Sequence, residues 1–330
     1  MSISTLRWAR GSALALIISL VACSGQQPGS GGLMPAGASP AQAARSAAGS
    51  SWMAPDAKSK DLLYVTDGNA DEVEIFSYPQ MKREGAVPGF DQPFGACADK
   101  SGDIFIANTG ASDILEYAHG GTRPIETLSD PGYEPRGCSI DPTTGNLAVA
   151  NYISTPAGGP GNVAIYTDAK GTPTYYSPPS IVYGVFSCGY DDKGNLFMDG
   201  QDFGSAFEFA ELPSGAKTFT SVTLDQAFEL PGGVQWDGKY VAVGDAELGA
   251  IYQFSIQGTK GTKVGTTPLN GVAGAYGFWI QGSKVVVPFS GSQGTGTHGV
   301  GIWLYPAGGS AKKLSKFLQY PSGAAVSKAK

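Results

Sequence analysis

Histidine is almost missing from this chain, with 2 in 330 residues, and cysteine (4) and methionine (5) are scarce. His119 sits in the turn Ala118-His119-Gly120-Gly121, and His298 follows a Gly/Thr-rich stretch far along the chain. A histidine-based metal site or a His-dependent lyase mechanism has little to be built from. No zinc-ligand spacing, nucleophile elbow or phosphate loop occurs, and strings such as Gly294-Thr295-Gly296-Thr297 lack the helix a phosphate loop needs. Charge is sparse as well: 22 Lys and Arg stand against 28 Asp and Glu, with no basic patch interleaved with aromatics, which argues against nucleic acid as a partner. Beyond the N-terminal leader no apolar periodicity of 3.6 runs long enough for a sizeable helix.

Two features fill these gaps. The first is the N-terminus. Arg7 and Arg10 precede an apolar stretch, Ala13 to Ala22, too short to span a bilayer comfortably. Residues 1–23 read as a processed leader, and Leu20-Val21-Ala22-Cys23 resembles a bacterial lipobox in which Cys23 becomes the lipidated first residue; an ordinary secretory signal with an incidental cysteine is the alternative. Ser24 in place of Asp at the next position leans toward the outer membrane. Removing the leader takes away two arginines and no acid, so the formal net charge of −6 becomes −8. Residues 24–60, rich in Gly, Ser, Ala, Pro and Gln, read as a disordered tether with a reach of roughly 30–35 Å.

The second feature is a repeat. Pro93-Phe94-Gly95…Asp99, Pro135-Arg136-Gly137…Asp141 and Pro231-Gly232-Gly233…Asp237 are near copies. Ala275-Tyr276-Gly277 and Pro321-Ser322-Gly323 are looser ones, and Val185-Phe186-Ser187 carries serine for glycine. The anchors are spaced by 42, 50, 46, 44 and 46 residues, a period that marks an array of one supersecondary unit. Each copy continues with an Asp/Gly turn, a β-rich run such as Ile104-Phe105-Ile106 or Leu147-Ala148-Val149, and a third run closing on Phe76, Tyr117, Tyr166, Phe209, Phe254 or Tyr305. A fourth strand is faint, as at Thr218 to Val222. Short strands with evenly spaced Gly turns predict an all-β propeller over residues 61–330. Leu62 to Val65 lacks a strand before it and Pro321 to Val326 lacks strands after it. Joined, the two halves complete a sixth blade, so the C-terminal strand is expected to pair with the N-terminal strands.

The phrase Pro-x-Gly, Asp-x-x-Gly, an apolar strand ending in Asn or Asp, and a third strand ending in an aromatic resembles the NHL repeat and the wider gluconolactonase-like and streptogramin-lyase-like six-bladed propellers. The resemblance spans about residues 61–328 and is best from Gly95 to Asn108 and from Gly137 to Asn151. A basic residue usual at the start of the third strand is missing, which sets aside NHL-style RNA binding.

Three groups of residues are candidates for more than architecture. Cys97 lies two residues past its glycine and Cys138 one, so their side chains point to opposite faces of their own blades, as a bridge between neighbouring blades requires; Cys188 shares the parity of Cys138. Either Cys97 and Cys138 form a disulfide or all three are small buried hydrophobes. Asn108, Asn151, Asp199 and Asp245 end second strands on one face, where gluconolactonase-like propellers hold a divalent cation; oxygen ligands suit Ca²⁺ or a similar ion, and such residues equally cap turns. The same rim gathers Phe94, Arg136, Phe186 and Tyr276, with Tyr133 and Tyr183 nearby, which either bind a protein, carbohydrate or other small ligand or simply cover the channel mouth. The reading is a lipid-anchored envelope propeller acting as a non-enzymatic binding module, with a divalent-metal hydrolase or lyase of the gluconolactonase-like kind as the alternative.

Overall fold

The computed structural model describes residues 50–291, 298–315 and 317–330. The leader, Cys23 and residues 24–49 lie outside them. Six antiparallel sheets follow one another along the chain, most of four strands. Blade 2 is typical: Pro93–Ala98, Ile104–Asn108, Asp113–Tyr117 and Glu126–Ser129 pair in order from the inside outward. Blades 3 to 6 begin with inner strands Tyr133–Ile140, Gly184–Tyr190, Pro231–Trp236 and Trp279–Gln281. The faint fourth strand of blade 4 is real but short, Thr220–Ser221; the next residues, Thr223–Leu224, cross over to pair in parallel with the outer strand of blade 5.

Blade 1 closes the ring. Its inner strand is the C-terminal Pro321–Ser327, paired antiparallel with Leu62–Asp67 through Leu62↔Ser327, Leu63↔Val326 and Tyr64↔Ala325. Side chains reinforce the closure: the Asp67 carboxylate accepts the backbone N–H groups of Gln319 (2.6 Å) and Tyr320 (2.7 Å), and Thr66 Oγ1 accepts from Gly323 N (2.8 Å). The composition-based boundary at residue 60 is corrected. Trp52–Met53 pairs with Ala86 and Gly85 as an outermost fifth strand, and Ala57 is fully buried. Two isolated apolar residues in a Gly/Ser/Ala/Pro-rich stretch gave no periodicity to read, yet Arg83 stacks over the Trp52 ring at 5.2 Å and holds the strand in place.

Buried apolar residues form clusters that each join two neighbouring blades. One holds Leu62, Tyr64 and Ile75 with Ile104, Ile106 and Tyr117 (blades 1 and 2), another Phe105 and Ile114 with Leu147, Val149 and Tyr166 (blades 2 and 3), and so on until Val286 and Val300 of blade 6 meet Leu63 and Phe76. The aromatic ending each third strand therefore supplies packing between sheets, because one ring buries a large apolar area in a single position. Cys97 and Cys138 are disulfide-bonded, with Cα atoms 5.6 Å apart, and clip the inner strands of blades 2 and 3; Cys188 is free and buried.

The anchor phrase has two physical reasons. In blades 1, 2 and 5 its proline begins the inner strand, where a missing N–H costs no ladder bond. Immediately after it the register slips, between Pro93 and Ala96, and between Pro231 and Gly233. Such a bulge turns the residue after the proline out of the regular alternation. The glycine answers close approach rather than unusual torsion. A Cβ on Gly95 would lie 1.8 Å from the Arg136 carbonyl oxygen, one on Gly137 2.8 Å from Ser187 Cα, and one on Gly323 2.8 Å from Gly95 Cα. Neighbouring inner strands thus touch backbone to backbone around the axis. At Ser187 the requirement moves two residues on, to Gly189, where a Cβ would meet Val234 O at 2.6 Å.

Candidate functional site at the channel mouth

The inner strands enclose a central cavity of about 420 Å³. The residue before the anchor glycine, or before Ser187, lines it in five blades, as Phe94, Arg136, Phe186, Tyr276 and Ser322, at the end where the inner strands begin. Bulges re-aim it in blades 1 to 4, while Tyr276 precedes the short inner strand of blade 6. Blade 5 contributes only Gly232 at this position.

Arg136 is the centre of the group. Its guanidinium carbon lies 3.7 Å from the Tyr152 ring centroid, 4.8 Å from Phe94 and 5.0 Å from Phe186. Phe94 and Tyr276 are 5.8 Å apart and Tyr276 and Tyr320 6.3 Å, so the rings continue around the opening. Among the described residues no carboxylate forms an ion pair with Arg136, and its buried Nε has no hydrogen-bond partner. Burial pulls its pKa below the ordinary arginine value, opposed by the tyrosines and Glu134 nearby. Ring faces attract a cation, each by roughly 0.5–2 kcal/mol, but they give its N–H groups no oxygen.

Arg136 and Phe94 also line a second concavity of about 430 Å³ that runs outward over blades 1 to 3, with Asn69, Gln92, Ser112, Glu134 and Tyr320 among its walls. Thr109 and Ser112 donate to the carbonyls of Pro135 and Tyr133 at 2.7 Å each, which fixes this loop against the strand carrying Arg136.

The other rim tyrosines are placed elsewhere. Tyr133 packs at a tilt on Tyr175 at 5.0 Å, and Tyr183 packs on Phe203 at 5.1 Å while donating to the Gly158 carbonyl. Neither lines either cavity. Tyr152 and Tyr320 were missed by sequence reasoning. Their only signal was position: Tyr152 directly follows Asn151, and Tyr320 directly precedes the anchor proline Pro321.

The four residues weighed as cation ligands have other tasks. Asn108 accepts Asp91 N–H at 2.6 Å, and Asp245 accepts Glu229 N–H at 2.8 Å as well as Glu247 and Leu248. With Asp67 they share one device: the end of a second strand clamps the loop two residues before an inner-strand proline. Asn151 donates to Asn162 Oδ1 at 2.9 Å, and Asp199 accepts Ser187 N–H at 2.8 Å. Among the described residues no group of three or more His, Cys, Asp or Glu is arranged to hold a metal ion.

Asp199 is the one of these with a titration consequence. It is fully buried with Oδ2 unpartnered, and burial pushes its pKa up to about 7 against hydrogen bonds that lower it. An unfolded aspartate titrates near 3.9. Its effect on stability is therefore fully favourable below about pH 4 and is lost as pH rises through 7, when charge must be held without solvent. Asp199→Asn keeps the acceptor for Ser187, as Asn108 does for Asp91. It is expected to be about 2–4 kcal/mol more stable than wild type at pH 8 and to have a flatter stability curve between pH 5 and 8 in urea titrations. An unchanged slope would show that Asp199 is ionised in the fold.

Comparison with known proteins finds no matching family model and no matching curated protein. Solved structures do match. A protein of unknown function from Bacteroides caccae has a TM-score of 0.60 at 16% identity, covering 82% of this chain and 99% of that one. A chain of a nidogen/laminin complex gives 0.57 at 11%, covering 82% and 99%. A functionally unknown protein from Desulfotomaculum acetoxidans gives 0.54 at 8%, covering 82% and 100%. At these identities the likeness speaks to fold alone, and the chain is a six-bladed β-propeller.

Proposed function

We propose that this protein is a lipid-anchored envelope propeller that binds its ligand, without catalysis, at the mouth of the central channel. The observation that carries this reading is Arg136, a part-buried cation caged by Phe94, Tyr152 and Phe186, with a buried, unpartnered Nε and no carboxylate ion-paired to it among the described residues. A structural arginine is normally matched to a carboxylate or carbonyl, since an unpaired buried donor costs about 1–3 kcal/mol. Natural proteins keep such costs where a ligand removes them. The clamping roles of Asn108 and Asp245 weigh against the metal-dependent enzyme, because their oxygens already serve backbone amides.

The anchor belongs to the same proposal. Among the described residues no helix is long and apolar enough to cross a membrane. The Cys23→Ala chain is expected to lose metabolic palmitate labelling and to leave the membrane fraction for the soluble one; unchanged fractionation would remove the anchor. The mouth is tested by retention of solubilised envelope material on the immobilised full chain. Phe94→Ala with Arg136→Gln is expected to lower specific retention at least about tenfold, the order of one lost charge-assisted contact, with a cooperative melting curve preserved. Equal retention by wild type and variant would place binding elsewhere.

A further inference from the structure

We infer that the group received by Arg136 is the carboxylate of an acidic sugar, a hexuronic-acid unit lying in the outer groove. This rests on the reading of the mouth as the binding face and names the ligand class. The guanidinium is held among three rings at 3.7–5.0 Å and is left with a buried, unsatisfied Nε. A planar fork fixed in advance suits a carboxylate, which accepts two parallel N–H bonds.

The surroundings decide which anion. No lysine and no second arginine lines either cavity at this end, and Glu134 stands in the same groove. One cation beside one carboxylate favours a monoanion over a phosphate dianion, which Glu134 would repel.

The groove walls decide which body carries it. Asn69 and Gln92 are exposed amides, and Glu134 accepts hydrogen bonds only, so the lining suits a molecule rich in hydroxyl donors. Phe94 and Tyr320 add ring faces to the same walls. A cavity of about 430 Å³ has room for about two pyranose rings. An acidic peptide fits less well, because its further carboxylates would meet Glu134.

The test is calorimetric titration of the full chain with a disaccharide of one galacturonate and one galactose, its neutral digalactose counterpart, inorganic phosphate and an aspartate-containing tripeptide. The acidic disaccharide, with its single carboxylate, is expected to bind about ten- to a hundredfold more tightly than the neutral one, the value of one charge-assisted pair. Arg136→Gln should erase that preference while leaving the melting transition cooperative, and Tyr320→Ala should weaken both sugars alike. Equal affinity for acid and neutral sugar, a preference that survives Arg136→Gln, or tighter binding of phosphate or tripeptide each overturns the inference. If the sugars fail while the Phe94 and Arg136 substitutions still abolish retention of envelope material, the ligand class is wrong and the mouth stands. If retention is also unaffected, both readings fall.

Discussion

Gly95→Ala is expected to lose roughly 3 kcal/mol or more of stability, a fall in melting temperature of about 6–12 °C for a domain of this size. The added methyl would sit 1.8 Å from the Arg136 carbonyl oxygen and 3.1 Å from Gly137 Cα. Both are backbone atoms of the next blade, so no side chain can swing away to make room. Relief requires moving one inner strand from its neighbour, and in a closed ring that displacement is passed to every other contact at the axis. Gly291→Ala is the control: among the described residues its Cβ meets nothing nearer than 3.8 Å, its φ is not positive, and it should change stability by under about 1 kcal/mol. Thermal melts of the two variants compare axial close approach with the general cost of replacing glycine. Equal melting temperatures would mean that the inner strands do not meet as described.

Removing the disulfide has an effect of similar size by a different route. Cys97 and Cys138 close a loop with a sequence separation of 41 residues, for which chain entropy gives about 4 kcal/mol, within a usual range of 2–5. Cys97→Ala with Cys138→Ala is expected to lower the urea midpoint accordingly, and reductant should destabilise wild type but not the double variant. Thiol titration of the processed, denatured, unreduced chain should find only Cys188, since Cys23 is taken up by lipid in the proposed anchor. Three titrating thiols would contradict both the bridge and its place in an oxidising compartment.

The fold was legible because each part of the repeat has a separate physical cause. Gly95, Gly137, Gly277 and Gly323 record axial contact, the Asp/Gly pairs record hairpins, and Phe76 or Tyr166 records packing between sheets. The broken ends, Leu62 to Val65 and Pro321 to Val326, revealed the closure because a lone inner strand has no other place to pair. Trp52 and Met53 were not legible, since a two-residue strand carries no period.

The site was legible only in part. Phe94, Arg136, Phe186 and Tyr276 could be grouped because they occupy one register position in successive repeats. Tyr133 and Tyr183 were grouped with them by proximity in sequence, but each lies outside the bulge and turns to its own partner, Tyr175 or Phe203. Tyr152 lies on a different strand, and its place against Arg136 depends on how blade 3 meets the axis, which a repeat alignment does not encode. Asn108 and Asp245 belong to residue types that end strands whether they hold a cation or a loop, and in the structure each accepts a backbone N–H from a loop.

The claim that the mouth face is where this propeller acts is tested most directly by photo-crosslinking in intact envelopes. A photoreactive residue in place of Ala157, exposed on a mouth-side loop, is compared with one in place of Lys193, exposed on a hairpin of the opposite face. Crosslinks to an envelope component should form from position 157, be absent from position 193, and disappear when Arg136→Gln is added. Crosslinks from position 193 alone, or crosslinks from 157 indifferent to Arg136, would contradict it.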